Sequence, residues 1–112
     1  MAETKIAFLA RHNQGIEISV VDFDGENLKQ ITNDKTLNLT PTWSPNGRWL
    51  VYTSYAGNNP DLVMIDNLGK KPKRTLLRLS GLNAAPSWSP VDDRITLVLS
   101  QDENSEIYTL NN

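Results

Sequence analysis

Apolar and β-branched residues occur along this chain in short runs, separated by clusters of Gly, Pro, Asn and Asp. The runs include "KIAFLA", "EISVVD", "RWLVYTS", "DLVMID" and "RITLVLS", and the separators include "FDGEN", "SPNG" and "DNLGKKP". Such runs between turn residues are typical of strands, and no long segment has the apolar spacing of a helix. The pattern predicts an all-β fold, with strands near Ile6, Ile18, Leu28, Thr42, Val51, Val63, Thr75, Ser87, Leu97 and Tyr108.

One stretch of the pattern occurs twice. "LTPTWSPNGRWLVYTS" begins at Leu39 and "AAPSWSPVDDRITLVLS" begins at Ala84, which places Trp43 and Trp88 45 positions apart. When the basic residues Arg48 and Arg94 are aligned, "SPVDD" is expected to contain one residue more than the first turn. Four short strands in a repeat of about 45 residues match the size of one blade of a β-propeller.

The repeat divides the chain into about two and a half four-stranded antiparallel blades, a partial β-propeller. The first, about residues 4–34, lacks its inner strand; the second, about 39–78, is complete; the third, about 84–112, lacks its outer strand. A closed propeller needs about four to eight blades. Because unpaired strand edges beside apolar surface recruit other chains, this chain is expected to self-associate or to be marginally stable and prone to aggregation. The alternative is an open wedge of three blades that stays monomeric because its end faces are polar.

The repeated motif has a structural explanation. Trp43 and Trp88 are large enough to fill the space between adjacent blades. The serine after each Trp is expected to form local hydrogen bonds, and Pro45 is expected to start a turn in which Asn46 and Gly47 favour positive φ angles. The structural residues predicted in this way are Trp43, Ser44, Pro45, Gly47, Trp88, Ser89 and Pro90.

Composition excludes several kinds of partner. The net charge is −2, and the eleven Lys and Arg are scattered apart from "KKPKR" at Lys70, which is expected to be a solvated hairpin tip; a nucleic-acid partner is therefore not expected. Without cysteine, disulfides and thiolate metal sites are excluded. No apolar run approaches the roughly 20 residues of a membrane span, so membrane insertion is not expected, and the first residues show no signal-peptide pattern.

Few residues could carry chemistry. His12 is the single histidine and is expected to face solvent from a loop. "DFDGEN" at Asp22 is similar to the start of a calcium loop, but the later ligands do not follow, so a hairpin turn is predicted. The chain has no G-x-S-x-G and no glycine-rich phosphate loop. Its acidic residues recur at equivalent strand ends (Glu17, Asp61 and Glu106; Asp22 and Asp66). We predict no catalytic site, no metal and no cofactor, and therefore not an enzyme.

The motif residues also carry a family resemblance. "PTWSPNGRWLVYTS" and "PSWSPVDDRITLVLS" resemble the PD40 (WD40-like) repeat, and "TKIAFLA", "EISVVDFDGENLKQITND" and "NAAPSWSP" extend the similarity to the TolB family of six-bladed propellers. The resemblance implies the N-terminal blades of a periplasmic, non-catalytic propeller. It further implies a role in the Tol–Pal envelope-integrity system, in protein transport and cell division, and binding of the peptidoglycan-associated lipoprotein Pal.

The resemblance also implies which residues meet that partner. In the family, the loops that run from strand D, the outer strand of one blade, into strand A, the inner strand of the next blade, contribute to the face at the channel mouth that receives Pal. By motif position these residues are Leu37, Asn38, Thr40, Leu82, Asn83 and Ala85. The alternative is that Asn38 and Asn83 only cap the turn before strand A. The "NLT" sequence at Asn38 is formally a glycosylation site, but it is also the usual sequence of this loop in the family.

Two other functions remain open at this stage. The chain could be the gating or docking propeller of a prolyl-oligopeptidase-type serine peptidase whose catalytic domain lies elsewhere in the gene. A downstream G-x-S-x-G with Asp and His would favour that reading. An intracellular scaffold is a third reading, which a signal peptide in the parent gene would eliminate.

Overall fold

The residues that the structure describes form ten strands. A computed structural model describes residues 5–56, 60–67, 72–78, 86–92, 94–101 and 104–111. Nine of the ten predicted strand positions lie inside a strand, and Leu28 lies one residue before β3. The all-β prediction is therefore confirmed. The strands are β1 (Lys5–His12), β2 (Gly15–Asp22), β3 (Lys29–Gln30), β4 (Asn38–Trp43), β5 (Trp49–Ser54), β6 (Asp61–Asp66), β7 (Arg74–Arg78), β8 (Ser87–Trp88), β9 (Arg94–Gln101) and β10 (Asn104–Asn111).

The strands form three antiparallel sheets. The first has the order β1-β2-β3, the second β4-β5-β6-β7, and the third β8-β9-β10. Each strand therefore pairs with its neighbour in the sequence, as in successive hairpins. The blade boundaries given above stay a prediction. None of the residues that the structure describes lies in a helix long and apolar enough to cross a membrane.

The turns after β4 and β8 have the same length, so the expectation of an extra residue in the second turn is wrong. Trp43 pairs with Leu50 and Trp88 pairs with Ile95. The amide of Ser44 donates to the carbonyl of Trp49, and the amide of Ser89 donates to that of Arg94. The structural equivalent of Arg94 is therefore Trp49, not Arg48. Aligning the two arginines introduced the apparent insertion.

The second sheet is buried on both faces. Leu50, Tyr52 and Val63 pack against Ile18 and Val20 of the first sheet. On the opposite face, residues of β5 and β6 pack against the third sheet. Because successive side chains of a strand point to opposite faces, a nearly continuous apolar strand such as β5 can serve both contacts. The cluster between the second and third sheets contains Val51, Leu62, Met64, Trp88, Ile95 and Leu97.

Backbone contacts tie the first sheet to the start of the second. The amide of Ile16 donates to the carbonyl of Thr36 at 3.0 Å, and Ile16 forms a parallel bridge with Leu37. Gly15 sits against this segment so closely that an added Cβ would lie 2.6 Å from the Thr36 nitrogen and 2.7 Å from the Lys35 carbonyl carbon. A residue without a side chain is therefore required where the two sheets meet.

His12 and the "DFDGEN" segment, the two candidates for chemistry in the first half of the chain, lie at a strand end and in a turn. His12 is exposed, and it is the last residue of β1, paired with Gly15; the prediction of a loop position is therefore wrong. "DFDGEN" forms the turn after β2, in which the Gly25 amide donates to the carbonyl of Asp22. The Lys5 ammonium and the Asn27 side-chain amide donate hydrogen bonds to the Asp22 carboxylate. Both bonds lower the pKa of Asp22, and the bond from Lys5 has the larger effect.

Candidate protein-docking site

The loop between β3 and β4 folds over the buried carboxylate of Glu17. Glu17 is only 1% exposed, near the start of β2. It accepts hydrogen bonds from the Thr32 hydroxyl at 2.6 Å, the Lys35 amide at 2.9 Å and the Asn38 side-chain amide at 3.1 Å. A buried carboxylate requires such donors because it has been removed from water. The loop is thus held to the first sheet from both of its ends.

Asn38 is the centre of this network. Its side chain is fully buried, and its Nδ2 also lies 2.9 Å from Asp34 Oδ1 and 3.1 Å from the Ile16 carbonyl oxygen. A buried amide with several acceptors orients the chain entering β4. This geometry favours the capping alternative for Asn38, while its contact with a partner stays a prediction.

Tyr52 lies in the core beside this network. Its ring is fully buried, and its hydroxyl has no hydrogen-bond partner among the described residues. Burial raises the pKa of Tyr52 well above its usual range, and the nearby carboxylates of Asp34 and Glu17 raise it further. The neutral phenol is therefore the form that the fold accommodates.

Two exposed residues flank the buried Asn38. Leu37 is 37% exposed, and its carbonyl accepts a hydrogen bond from the Tyr55 amide at 2.9 Å. Thr40 is exposed and has a φ of 52°, within a register shift between Leu39 and Thr42. A β-branched residue rarely adopts this backbone conformation. Leu37 and Thr40 are therefore exposed on a backbone that is fixed in two ways. Hydrogen bonds hold it, and so does the adjoining pairing of β4 with β5.

The predicted residues of the next repeat cannot be compared with these. Leu82, Asn83 and Ala85 lie outside the described residues. The site that the structure brings together is therefore the first loop, with Leu37 and Thr40 at the surface and Asn38 beneath them. We call residues 37–40, which are the last residue before β4 and the first three residues of that strand, the docking loop.

The residues of the repeated Trp-Ser-Pro motif lie away from the docking loop. Those of the first repeat are at the other end of β4, and both tryptophans lie between sheets. Trp43 packs against the cluster between the first and second sheets, and Trp88 lies within the cluster between the second and third. The Trp88 amide donates to the Thr42 hydroxyl at 3.2 Å, which links neighbouring sheets. Pro45 and Pro90, which follow the serines, are exposed.

The motif turns are held by local hydrogen bonds. The Ser44 hydroxyl donates to Asn46 Oδ1 and accepts from the Trp49 amide. The Ser89 hydroxyl accepts from the Val91 amide at 3.3 Å. Of the pair expected to have positive φ, Gly47 alone does, at 73°. Asn46 instead uses its side chain, which also accepts from the Arg48 amide.

The sequence did not identify the network that joins Glu17, Thr32 and Asp34, or the buried Tyr52 beside it. A carboxylate inside the apolar run "EISVV" was the available signal, because a buried acid needs donors from elsewhere in the chain. The recurrence of acidic residues at equivalent strand ends favours a different explanation of Glu17, as part of the repeat. Across the described part of the chain, no three His, Asp or Glu side chains are grouped as metal ligands would be.

Comparison with known proteins identifies the family. The family model described as the TolB beta propeller domain matches residues 1–112. The chain belongs to the TolB β-propeller family. It is 39% identical over 111 residues to the "Tol-Pal system protein TolB" of Desulfosudis oleivorans and 33% identical over 107 residues to the "Protein TolB homolog" of Chlorobaculum tepidum. Both alignments cover 96% of this chain and 24% of the relative.

A solved TolB propeller has the same fold. The crystal structure of TolB from Acinetobacter baumannii superposes with a TM-score of 0.84 at 27% identity, covering 96% of this chain and 28% of that one. The predicted fold class, a partial β-propeller, is therefore confirmed. The chain spans about a quarter of the length of the TolB relatives it matches.

Proposed function

We propose that this chain is part of a non-catalytic propeller that docks the lipoprotein Pal in the bacterial envelope, and that the docking loop is one of its contacts. The Tol–Pal name of the Desulfosudis relative supports this system. The observation that carries the proposal is the exposed pair Leu37 and Thr40, held on either side of the buried Asn38.

The docking loop is suited to a protein partner because it is already ordered. Binding orders flexible loops at a cost in entropy, and a pre-organised loop avoids most of that cost. The Asn38 amide and the bond between the Tyr55 amide and the Leu37 carbonyl supply this order. The unusual φ of Thr40 adds support, since strained backbone is concentrated at functional sites.

The same proposal covers location and catalysis. A propeller of the Tol–Pal system would act in the periplasm, in envelope integrity, protein transport and cell division, by binding proteins and not by catalysis. The peptidase-propeller alternative would require a catalytic domain elsewhere in the parent gene. The TolB names of the relatives favour the first reading. We further propose that the isolated chain self-associates through exposed strand edges such as β1.

Calorimetric titration of the parent protein with the soluble domain of Pal tests the docking loop. Leu37→Glu should weaken binding by about tenfold or more, because it places a charge in a desolvated contact. The matched control is Leu28→Glu, since Leu28 is 68% exposed and follows the turn at the opposite end of β2. The control should bind as the unaltered protein does. Equal affinities for the two variants would refute the proposed contact.

A further inference from the structure

Three polar atoms around the loop between β3 and β4 are buried and have no hydrogen-bond partner among the described residues. They are Asp34 Oδ2, Asn38 Oδ1 and the Tyr52 hydroxyl oxygen. The side chains of Asn38 and Tyr52 are fully buried. Because buried polar groups normally have partners, three unpartnered atoms around one loop indicate that a small polar ligand is bound between them.

The three atoms lie near one another where this loop meets β4 and β5. Asn38 pairs with Ser54 across the two strands, and Tyr52 is two residues from Ser54 on β5. Residues two apart on a strand lie on the same face, and an aromatic side chain can reach such a diagonal neighbour. Asp34 Oδ1 lies 2.9 Å from the Asn38 Nδ2. Burial and the nearby charge of Asp34 raise the pKa of Tyr52, which agrees with this arrangement.

The two unpartnered oxygens of Asn38 and Asp34 are both acceptors. The Asn38 Nδ2 lies beside the Ile16 carbonyl, the Glu17 carboxylate and Asp34 Oδ1, so a flipped amide would bring oxygen against oxygen. Asn38 Oδ1 is therefore assigned correctly as an acceptor. The Lys73 ammonium lies 3.9 Å from Asp34 Oδ2, which is too far for a hydrogen bond. Both oxygens thus require a donor.

The chemistry of these atoms matches a water molecule. A water molecule donates two hydrogen bonds, one for each of the two acceptors, and it can accept a third from the Tyr52 hydroxyl. Buried waters typically form about three hydrogen bonds to polar groups that are otherwise unsatisfied. A calcium ion takes about six to eight oxygen ligands, and the three unpartnered atoms are too few for that.

We propose that this site binds one buried water molecule, which donates to Asp34 Oδ2 and Asn38 Oδ1 and accepts from the Tyr52 hydroxyl. The water joins three elements, because Asp34 belongs to the loop, Asn38 to β4 and Tyr52 to β5. Glu17 holds the same loop to the first sheet, so the water provides its link to the second. This site does not depend on the docking of a partner.

A crystal structure of the chain at a resolution that shows ordered waters tests the site directly. The expected result is a single peak of electron density that lies about 2.6–3.2 Å from each of the three atoms. A direct hydrogen bond from the Tyr52 hydroxyl to Asp34 or Asn38, or a site without density, would overturn the proposal. Contacts of about 2.3–2.6 Å would also overturn it, since they indicate a metal ion.

Thermal denaturation of the Tyr52→Phe variant at neutral pH gives an independent test. The variant should lower the Tm by roughly 3–8 °C, because it removes the hydrogen bond from the phenol to the water. Tyr55→Phe is the matched control, since Tyr55 is only half-buried and follows the same strand; it should change the Tm by less than about 2 °C. Removal of an unpaired buried hydroxyl would relieve a cost, so an unchanged or higher Tm in Tyr52→Phe would contradict the water site.

Discussion

Asn38 lies between two exposed residues, but its own side chain is directed into the fold. It is fully buried against Glu17 and Asp34, while Leu37 and Thr40 remain accessible. Adjacent residues of the docking loop therefore differ in role: Asn38 positions the loop, and its neighbours are available for contact. This division can be tested one residue at a time.

Asn38→Ala should lower the free energy of unfolding by about 1–3 kcal/mol, because Glu17 and Asp34 would lose a buried donor. Asn33→Ala is the matched control, since Asn33 is exposed and lies five residues before Asn38, between β3 and β4; it should change stability by less than about 0.5 kcal/mol. Urea denaturation measures both variants. Similar losses for the two would show that the buried network does not hold the loop.

Tyr52 should make the chain sensitive to alkaline pH. Its folded-state pKa is raised from 10.0 by burial and by the carboxylates of Asp34 and Glu17. The stabilisation from the neutral phenol is therefore complete below about pH 10 and is lost as pH rises above that value. Tyr52→Phe should reduce the fall in Tm above about pH 10, whereas Tyr55→Phe should retain it. An unchanged fall in the Tyr52 variant would contradict this assignment.

Among the elements, the contact between the first sheet and the entry to β4 depends on Gly15. A side chain at this position would meet the backbone of Lys35 and Thr36, and backbone atoms cannot move aside as a flexible side chain can. The hydrogen bond from the Ile16 amide to the Thr36 carbonyl lies at the same place. The turn after β1 thus controls how closely the two sheets approach.

Gly15→Ala should destabilise the chain by about 2 kcal/mol or more, because an overpacked contact forces the backbone to shift. Gly25→Asn is the comparison, since an added Cβ at Gly25 meets nothing within 4 Å and its φ of 88° is positive. Asn tolerates positive φ, so this variant should lose less than about 1 kcal/mol. Thermal denaturation followed by circular dichroism distinguishes them. A Gly15→Ala chain as stable as the comparison would show that the sheets separate easily.

The strands could be predicted from the sequence because their pattern is local. Turn residues and β-branched runs located β5 and β6, and the repeat located their equivalents. The equal length of the two motif turns is hidden when Arg48 is aligned with Arg94, because these two arginines occupy different positions in the pairing of their strands. The network around Glu17 could not be predicted, since it forms only when a distant loop folds over β2.

For the whole molecule, the second sheet is the stable centre and the outer sheets are more exposed. Both faces of β5 are covered by neighbouring sheets, whereas β1 is an edge strand on which Ile6 and Leu9 are 47% and 41% exposed. An apolar edge strand is a site for pairing with another chain. The edge of β1 that faces away from β2 is therefore the candidate site for pairing with another chain.

Sedimentation velocity of the isolated chain at micromolar concentration should show self-association that increases with concentration. Leu9→Lys should reduce it, because a charge on an edge strand opposes pairing. Phe23→Lys is the control, since Phe23 is 69% exposed but lies in the turn after β2. A cooperatively melting monomer at all concentrations would contradict the proposed self-association.

Hydrogen–deuterium exchange of the parent protein, with and without the soluble domain of Pal, tests most directly whether the docking loop receives the partner. The motif turn at residues 44–48 lies at the opposite end of β4 and serves as an internal reference. Slower exchange at residues 36–40 on adding Pal, with no change at residues 44–48, is the predicted result. Protection confined to the motif turn, or exchange at residues 36–40 that Pal leaves unchanged, would contradict it.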